Sequence, residues 1–259
     1  MCLMTKLVKS SARTLDILEL IAAHPGDLAL SEIAKELKIP ISSMHGLVLT
    51  LKTRGYLVRD PASLCYRMGP KFAQLAVVHG TFVELIAHAA PVMDRIGTAC
   101  KEAVTMSVLQ GDKIVFISNR PATSIVQAVN AIGTSLPAHA TGSGKIMLAY
   151  LTDEEFERTY PNNKLPRLMA STIITKVELK QAVLEARRRG YAYDDEESER
   201  GVWAVAGCIR NSVGRPMAAL SVVVPVIRVQ ANDIPYWTSL VVEGAAEISS
   251  KLGFASSTE

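Results

Sequence analysis

The segment Thr141-Gly142-Ser143-Gly144-Lys145 is the part of this chain whose residue types most invite chemistry. Two glycines around a serine, followed by a lysine, suggest a phosphate loop or a nucleophile turn. Neither spacing holds. A phosphate loop, G-x-x-x-x-G-K-[ST], needs glycine at position 139 and a hydroxyl at 146, where the chain has His139 and Ile146. A nucleophile elbow, G-x-S-x-G, needs glycine where Thr141 stands. The segment then has two readings. It is a helix start that offers free peptide N–H groups and a positive dipole end to a small anion. Alternatively, it is a tight start whose glycines let the helix pack on a sheet. An enzymatic role would fall to Ser143, Lys145 or His139, and no motif sets a nucleophile beside a general base. No catalytic residue is assigned. Cys2, Cys65, Cys100 and Cys208 are scattered and form no C-x-x-C pair, so no metal site, disulfide framework or cofactor is expected.

A second set of polar residues lies near the N-terminus. Pro40 suits the first turn of a helix, and Ser42, Ser43 and His45 follow it on the forward face. Hydroxyls there can meet base edges or phosphates; equally, Ser42 and Ser43 can cap the helix and His45 can be solvated. Arg13, Lys52, Arg59 and Arg67 are candidate phosphate contacts, each also readable as a plain surface charge. Residues 1–72 hold ten Lys and Arg against six Asp and Glu, an excess of +4. The remainder is at −1, so the whole excess of the +3 chain sits in this N-terminal part. Attraction to a polyanion needs that placement.

The elements that would hold these residues follow from periodicity. Leu15, Leu18, Ile21 and Ala22 recur at helical spacing; so do Leu30, Ile33, Ala34 and Leu37, and again Met44, Leu47, Val48 and Leu51. Only a few residues around Lys38-Ile39-Pro40 separate the second stripe from the third, the spacing of a helix-turn-helix that places its later helix in the major groove. Tyr56–Val58 and Cys65–Met68 flank Asp60-Pro61 like the strands of a wing, and Gly69-Pro70 ends it. Lys71–His79 reads as a linker helix, and Phe82–Ala99 as a longer helix interrupted at Pro91.

Beyond it the period changes to two. Ala103–Leu109 and Lys113–Ser118 flank a Gln110-Gly111-Asp112 turn, and Ser124–Val129 is expected to be a third strand. Thr141–Tyr150 reads as a helix. Thr152-x-x-Glu155 and Thr175-x-x-Glu178 are capping boxes, the second opening a helix that stops at Gly190. Tyr191–Asp194, Val202–Ile209 and Met217–Val224 are strands, and Asp233–Lys251 closes the chain as a helix. The acid-rich run Asp194–Glu199 is expected to be a solvated loop in which only Asp194, the residue ending the strand, has a role. Helices and strands mix without a strict βαβ repeat, so the fold class is α+β with a mainly antiparallel sheet flanked by helices. No apolar run reaches the roughly 18 residues that span a bilayer, the N-terminus has no signal pattern, and the cysteines suit a reducing cytoplasm.

Taken together, the N-terminal stripes, AHATGSGKIMLAYL at 138–151, and the run from Arg187 to Pro225 resemble the IclR family of transcriptional regulators over about Ser10–Gly253. The resemblance implies a winged helix-turn-helix over 1–69, a linker helix over 70–80, and a GAF-like effector-binding and oligomerisation domain over 81–259. It implies a ligand-responsive regulator, a repressor, that binds a double-stranded DNA operator as a homodimer or homotetramer. In relatives that bind small carboxylates, the positions of Gly142 and Ser143 hold the acid group. Asp194 takes a hydroxyl, an aldehyde hydrate or the acid itself, and Ser221 adds a hydroxyl. Ala204 stands where some relatives have cysteine, which leaves room for a bulkier organic acid. The chain departs from the family at Ile41, where relatives often have a basic residue, and at Gly46, where they often have arginine. The rival readings are an enzyme or sensor that turns over a small carboxylate, and a protein–protein adaptor.

Overall fold

The structure is a computed structural model that describes residues 8–78, 81–127 and 131–255. The chain divides into two units, Met1–Val83 and Glu84–Glu259.

The first unit is built on α1 (Lys9–Ala23), α2 (Leu30–Glu36) and α3 (Ile41–Thr53). Their buried stripes converge on one core that contains Ile17, Ile21, Ile33, Met44, Val48 and Leu51. In α1 the buried stripe is only partly the expected one: Ile21 is buried and Leu18 packs against the core, but the other two expected residues do not. Ile17 is fully buried, whereas Leu15 is 57 % exposed and Ala22 is also exposed. Burying an isoleucine stabilises by roughly 1.5–3 kcal/mol, and both stripes have helical spacing, so only packing decides between them. Between α2 and α3, Lys38 adopts a left-handed backbone (φ 52°) and Ile39 turns into the core. The wing consists of β1 (Leu57–Arg59) and β2 (Tyr66–Met68), paired antiparallel with Val58 opposite Arg67. Its tip is fixed by Asp60, whose Oδ1 accepts the amides of Ala62 and Ser63 at 2.9 and 2.8 Å; these bonds hold the carboxyl below its usual pKa. A bridge between Leu28 and Tyr66 ties β2 to the helices. Helix α4 (Lys71–Val78) follows, and Phe72 meets the Tyr56 ring edge-on at 5.2 Å. His79, the last residue of the expected linker helix, lies outside the described residues.

The second unit has a six-stranded, wholly antiparallel sheet in the order β5-β4-β3-β8-β7-β6. The strands are β3 (Ala103–Gln110), β4 (Lys113–Arg120), β5 (Ser135–Pro137), β6 (Tyr191–Asp195), β7 (Val202–Arg210) and β8 (Pro216–Pro225). Two expectations fail here. Ser124–Gln127 is irregular, residues 128–129 lie outside the described residues, and the strand beside β4 is β5. Pro91 does not interrupt its helix: α5 runs through it from Thr81 to Cys100. The acidic run is also not simply solvated: Asp194 is 3 % exposed, in keeping with a role, but the Glu197 side chain is buried as well, at 12 %.

The two faces of the sheet differ in side-chain size. Trp203, Val205, Ile209, Leu220 and Val222 point to one face, against α5 and α9 (Ile234–Lys251). On the other face the same strands present Ala204, Ala206, Ala219 and Ser221, as strand alternation requires. That shallow face receives α6 (Gly142–Leu148), α7 (Asp153–Thr159) and α8 (Lys176–Arg189). Thr152 and Glu155 form the expected reciprocal cap of α7. At α8 the Thr175 hydroxyl accepts the Glu178 amide and donates to the Glu178 carboxylate, so only half of the expected capping box forms. Gly190 ends α8 with a φ of 83°.

Candidate functional site

On the first unit, Ser42, Ser43 and His45 are exposed in the first turns of α3, on the side opposite buried Met44 and Val48. Pro40 occupies the N-cap position and no side chain caps the helix, so the capping alternative for Ser42 and Ser43 does not hold. Lys52 is exposed in the last turn of α3, and Arg13 is half-buried on α1. The wing arginines are already engaged. Arg59 Nε donates to the Leu64 carbonyl at 3.1 Å and its guanidinium lies 5.7 Å from the Tyr66 ring centre. Arg67 lies 3.8 Å from Asp27 as an exposed pair, an arrangement worth about 0–1 kcal/mol. The exposed Ile41 adds an apolar side chain to the same helix start.

On the second unit, a cavity of about 340 Å³ opens between the shallow face of the sheet and the start of α6. Gly142, Ser143, Asp194, Ala204 and Ser221 all line it. The fold explains why they meet. A Cβ at Gly142 would come within 2.9 Å of the Ala192 carbonyl, and one at Gly144 within 2.1 Å of the Ala138 carbonyl. Both glycines therefore let α6 seat against β6 and the turn before it, so the packing reading of the TGSGK segment holds. The Thr141 hydroxyl takes the Gly144 amide at 3.0 Å. The amides of Gly142 and Ser143 open the helix, where no carbonyl of its own is available to them.

Three hydroxyls cross the cavity floor in a row. Ser143 Oγ donates to Ser221 Oγ at 3.3 Å, and Ser221 Oγ lies 2.8 Å from Thr105 Oγ1. Ala206 and Thr105 are the β7 and β3 residues directly opposite Ser221, so sheet register sets the row. No imidazole or carboxylate adjoins Ser143 in this row. His139 is turned away, with Nε2 2.9 Å from the Pro166 carbonyl oxygen.

Asp194 ends β6 at the cavity wall. Its Oδ1 accepts the Glu197 and Ser198 amides at 2.9 and 3.3 Å, and its Oδ2 accepts the Ser198 hydroxyl at 2.5 Å. Burial nevertheless raises its pKa, with the Ser198 hydroxyl, the Glu197 amide and Lys145 opposing. Lys145 forms a buried ion pair with Glu197. Glu197 is also raised by burial, against the pull of Lys145, and its Oε2 has no hydrogen-bond partner. The far wall is apolar, with Phe116, Leu136, Val202 and Val223. Among the described residues no lysine, arginine or histidine lines the cavity, while Asp194 and Glu199 do.

Comparison with known proteins bears on both units. Residues 10–61 match the IclR helix-turn-helix domain, and residues 77–250 match the family described as the bacterial transcriptional regulator IclR C-terminal domain. The chain belongs to the IclR family. It is 30 % identical to the transcriptional repressor IclR of Escherichia coli strain K12, over 96 % of this chain and 92 % of that one. It is 31 % identical, with the same coverages, to the acetate operon repressor of Salmonella typhimurium strain LT2. Among solved structures it resembles an IclR homologue from Microbacterium hydrocarbonoxydans complexed with 4-hydroxybenzoate (TM-score 0.79, 25 % identity, 94 % of this chain and 98 % of that one). It also resembles the Thermotoga maritima IclR (TM-score 0.73, 26 % identity, 95 % and 99 %).

As a member of the IclR family the chain is a DNA-binding transcriptional regulator, and its relatives are named as regulators rather than enzymes. No helix among the described residues is long and apolar enough to cross a membrane. Sequence reasoning missed several cavity residues of this IclR-family chain. Thr105 could have been found by asking which β3 residue faces Ser221. Ser198 could not, nor could the Lys145–Glu197 pair behind the wall, because they depend on how the acidic turn folds back on α6.

Proposed function

We propose that this protein is a repressor whose operator binding is controlled by a small organic acid held in the cavity at Ser143. The reading rests chiefly on one observation: Gly142, Ser143, Asp194, Ala204 and Ser221, drawn from a helix start and three strands, line one cavity. The acid group would sit at the amides of Gly142 and Ser143 and the Ser143 hydroxyl, with charge-assisted hydrogen bonds in place of a basic side chain. The acidic wall at Asp194 and Glu199 disfavours a second carboxylate. It favours a far end that donates a hydrogen bond, such as a hydroxyl or an aldehyde hydrate. A 4-hydroxybenzoate-bound relative supports an acid of that polarity, and the apolar far wall has room for a flat or branched body.

In the first unit, Ser42, Ser43 and His45 would meet base edges, and Arg13, Lys52, Arg59 and Arg67 would meet phosphates. With only a modest positive excess, one head binds weakly. The working form is therefore a homodimer or homotetramer in the cytoplasm, on half-sites about one helical turn, or a multiple, apart. Residues 1–69 carry the head, 70–80 the linker and 81–259 the effector domain. The effector shifts the balance between head arrangements, of which one fits the operator.

Calorimetry with 4-hydroxybenzoate, benzoate and terephthalate tests the ligand. The expected order is 4-hydroxybenzoate tightest and terephthalate weakest. Asp194→Ala should bring the first two together, and Ser143→Trp should abolish binding at this cavity, and with it the difference among the probes, while leaving operator shifts intact. Equal binding of all three probes to wild type and both variants refutes the site. Light scattering that shows a monomer bound tightly to one half-site refutes the assembly.

A further inference from the structure

A second cavity, of about 300 Å³, lies elsewhere in the same unit. Strand β6 pairs with β7 only as far as Tyr191 opposite Gly207, so the last residues of β7 have no strand partner on that side. The Arg210 amide donates instead to Ser249 Oγ of α9 at 2.9 Å. The gap at this strand end is walled by Cys208 and Arg210, by Ala245 and Ala246 of α9, and by the Tyr150 and Phe254 rings.

Arg210 is unlike the other arginines of this unit. Arg95, Arg120, Arg188, Arg189, Arg215 and Arg228 each pair with an acid. Among the described residues Arg158, Arg167, Arg187 and Arg200 have no acid, and they are exposed. Arg210 is half-buried, yet among the described residues its guanidinium has neither an acid nor a hydrogen-bond acceptor. It lies 4.0 Å from the Phe254 ring centre and 4.8 Å from that of Tyr150. Arg187 adds a second positive charge over the Tyr150 ring, at 6.0 Å. Aromatic faces meet part of the charge of a guanidinium. They leave its N–H donors, which lie in the plane of the group, without acceptors.

We propose that the cavity at Arg210 is a second ligand site, distinct from the cavity at Ser143, for a small organic monoanion with a flat apolar body. A carboxylate fits the in-plane donors of a guanidinium in a two-bond fork. The body would lie on Ala245, Ala246 and the Cys208 thiol. Burial pushes that thiol up to about 12, so it faces the ligand uncharged. A ligand there would touch β7, α9 and the Phe254 segment at once, and so tie that segment to the sheet.

The test is a 4-bromobenzoate soak of crystals of the full chain, with bromine located by anomalous scattering, and equilibrium dialysis with the same probe. A bromine peak beside Arg210 is expected in wild type and in Ser143→Trp, and none is expected in Arg210→Gln. In solution, Arg210→Gln should lose one bound probe per chain. Arg210→Lys, which keeps the charge over the rings but not the fork, should weaken that site by roughly tenfold or more. No peak at Arg210 in wild type, or a peak retained in Arg210→Gln, overturns the proposal. So does an Arg210→Lys variant that melts lower but binds the probe as wild type does, because Arg210 would then only pin Phe254. Loss of the peak at Ser143 alone would count against the effector reading and not against this one.

Discussion

Gly46→Ala separates what the third helix needs for folding from what it needs for DNA. Gly46 lies inside the 13-residue α3, where glycine is about 1 kcal/mol less favourable than alanine. Its backbone is helical, and an added Cβ would meet no heavy atom within 4 Å. No strain or clash offsets the gain, so the variant should stabilise the head by about 1 kcal/mol, part of it through the unfolded chain. Both tryptophans, Trp203 and Trp237, lie in the other unit, so their fluorescence does not report on this helix. Hydrogen exchange of peptides from 41–53 does, and protection should rise by roughly fivefold. Gly46 also lies one turn beyond Ser42 and Ser43 on the exposed face, where bare backbone allows the closest approach to a groove. A methyl inserted there should weaken operator binding by about 1–3 kcal/mol, the usual range for overpacking. Unchanged protection would refute the propensity argument. Raised protection with unchanged or tighter operator binding would refute the reasoning that the open space is kept for DNA.

Arg67→Ala should lower the log–log salt slope of DNA binding by about one at every sequence; Asp27→Asn should strengthen binding to all sequences, and an unchanged slope and affinity would remove Arg67 from the interface. Thr105→Val keeps the shape of the side chain but leaves Ser221 short of a partner, which should cost the effector domain about 1–3 kcal/mol in urea unfolding followed by tryptophan fluorescence. Burial raises Asp194, so the folded domain holds this proton more tightly than the unfolded chain does. Its contribution to stability is therefore fully present below the ordinary aspartate range and is lost as pH rises through the raised value. Asp194→Asn should flatten that part of the pH–stability curve, and an identical slope would contradict the burial argument. Proton uptake should accompany binding of a carboxylate ligand over the same range, measured by calorimetry in buffers of different ionisation enthalpy.

Most of the architecture was legible because it follows from short-range periodicity. The three helices of the head, the wing, the capped starts of α7 and α8 and the strands β3, β4, β7 and β8 all carry their own signals. The misreadings occur where long-range packing chooses between locally equal patterns. Ile17 and Leu15 both sit on helical stripes, and only the position of the other two helices buries the first. Ser124–Val129 has the apolar content of a strand, but the edge beside β4 is taken by Ser135–Pro137. Pro91 can sit inside a helix whose neighbouring turns are held by the buried residues Ala89, Val92, Met93 and Ile96. The TGSGK segment stood out by its own residue types, and the roles of Ser143, Asp194, Ala204 and Ser221 came through the resemblance, whereas the pairing of Lys145 with Glu197 spans 52 positions of sequence and left no local trace.

The row of hydroxyls from Thr105 through Ser221 to Ser143 ends on a proton that can turn. A hydroxyl has one proton and two lone pairs, so Ser143 can keep its proton on Ser221 or turn it into the cavity with no heavy atom moved. In the first state Ser143 offers the cavity a lone pair; in the second it offers its proton. This end of the cavity can therefore greet a carbonyl or a hydroxyl, by turning one proton rather than by repacking. Chemical selectivity has to come from the opposite wall, where the carboxylate of Asp194, if ionised, can only accept. A regulator built this way can change its preferred signal through substitutions around Asp194 while its sheet and its helix start stay as they are.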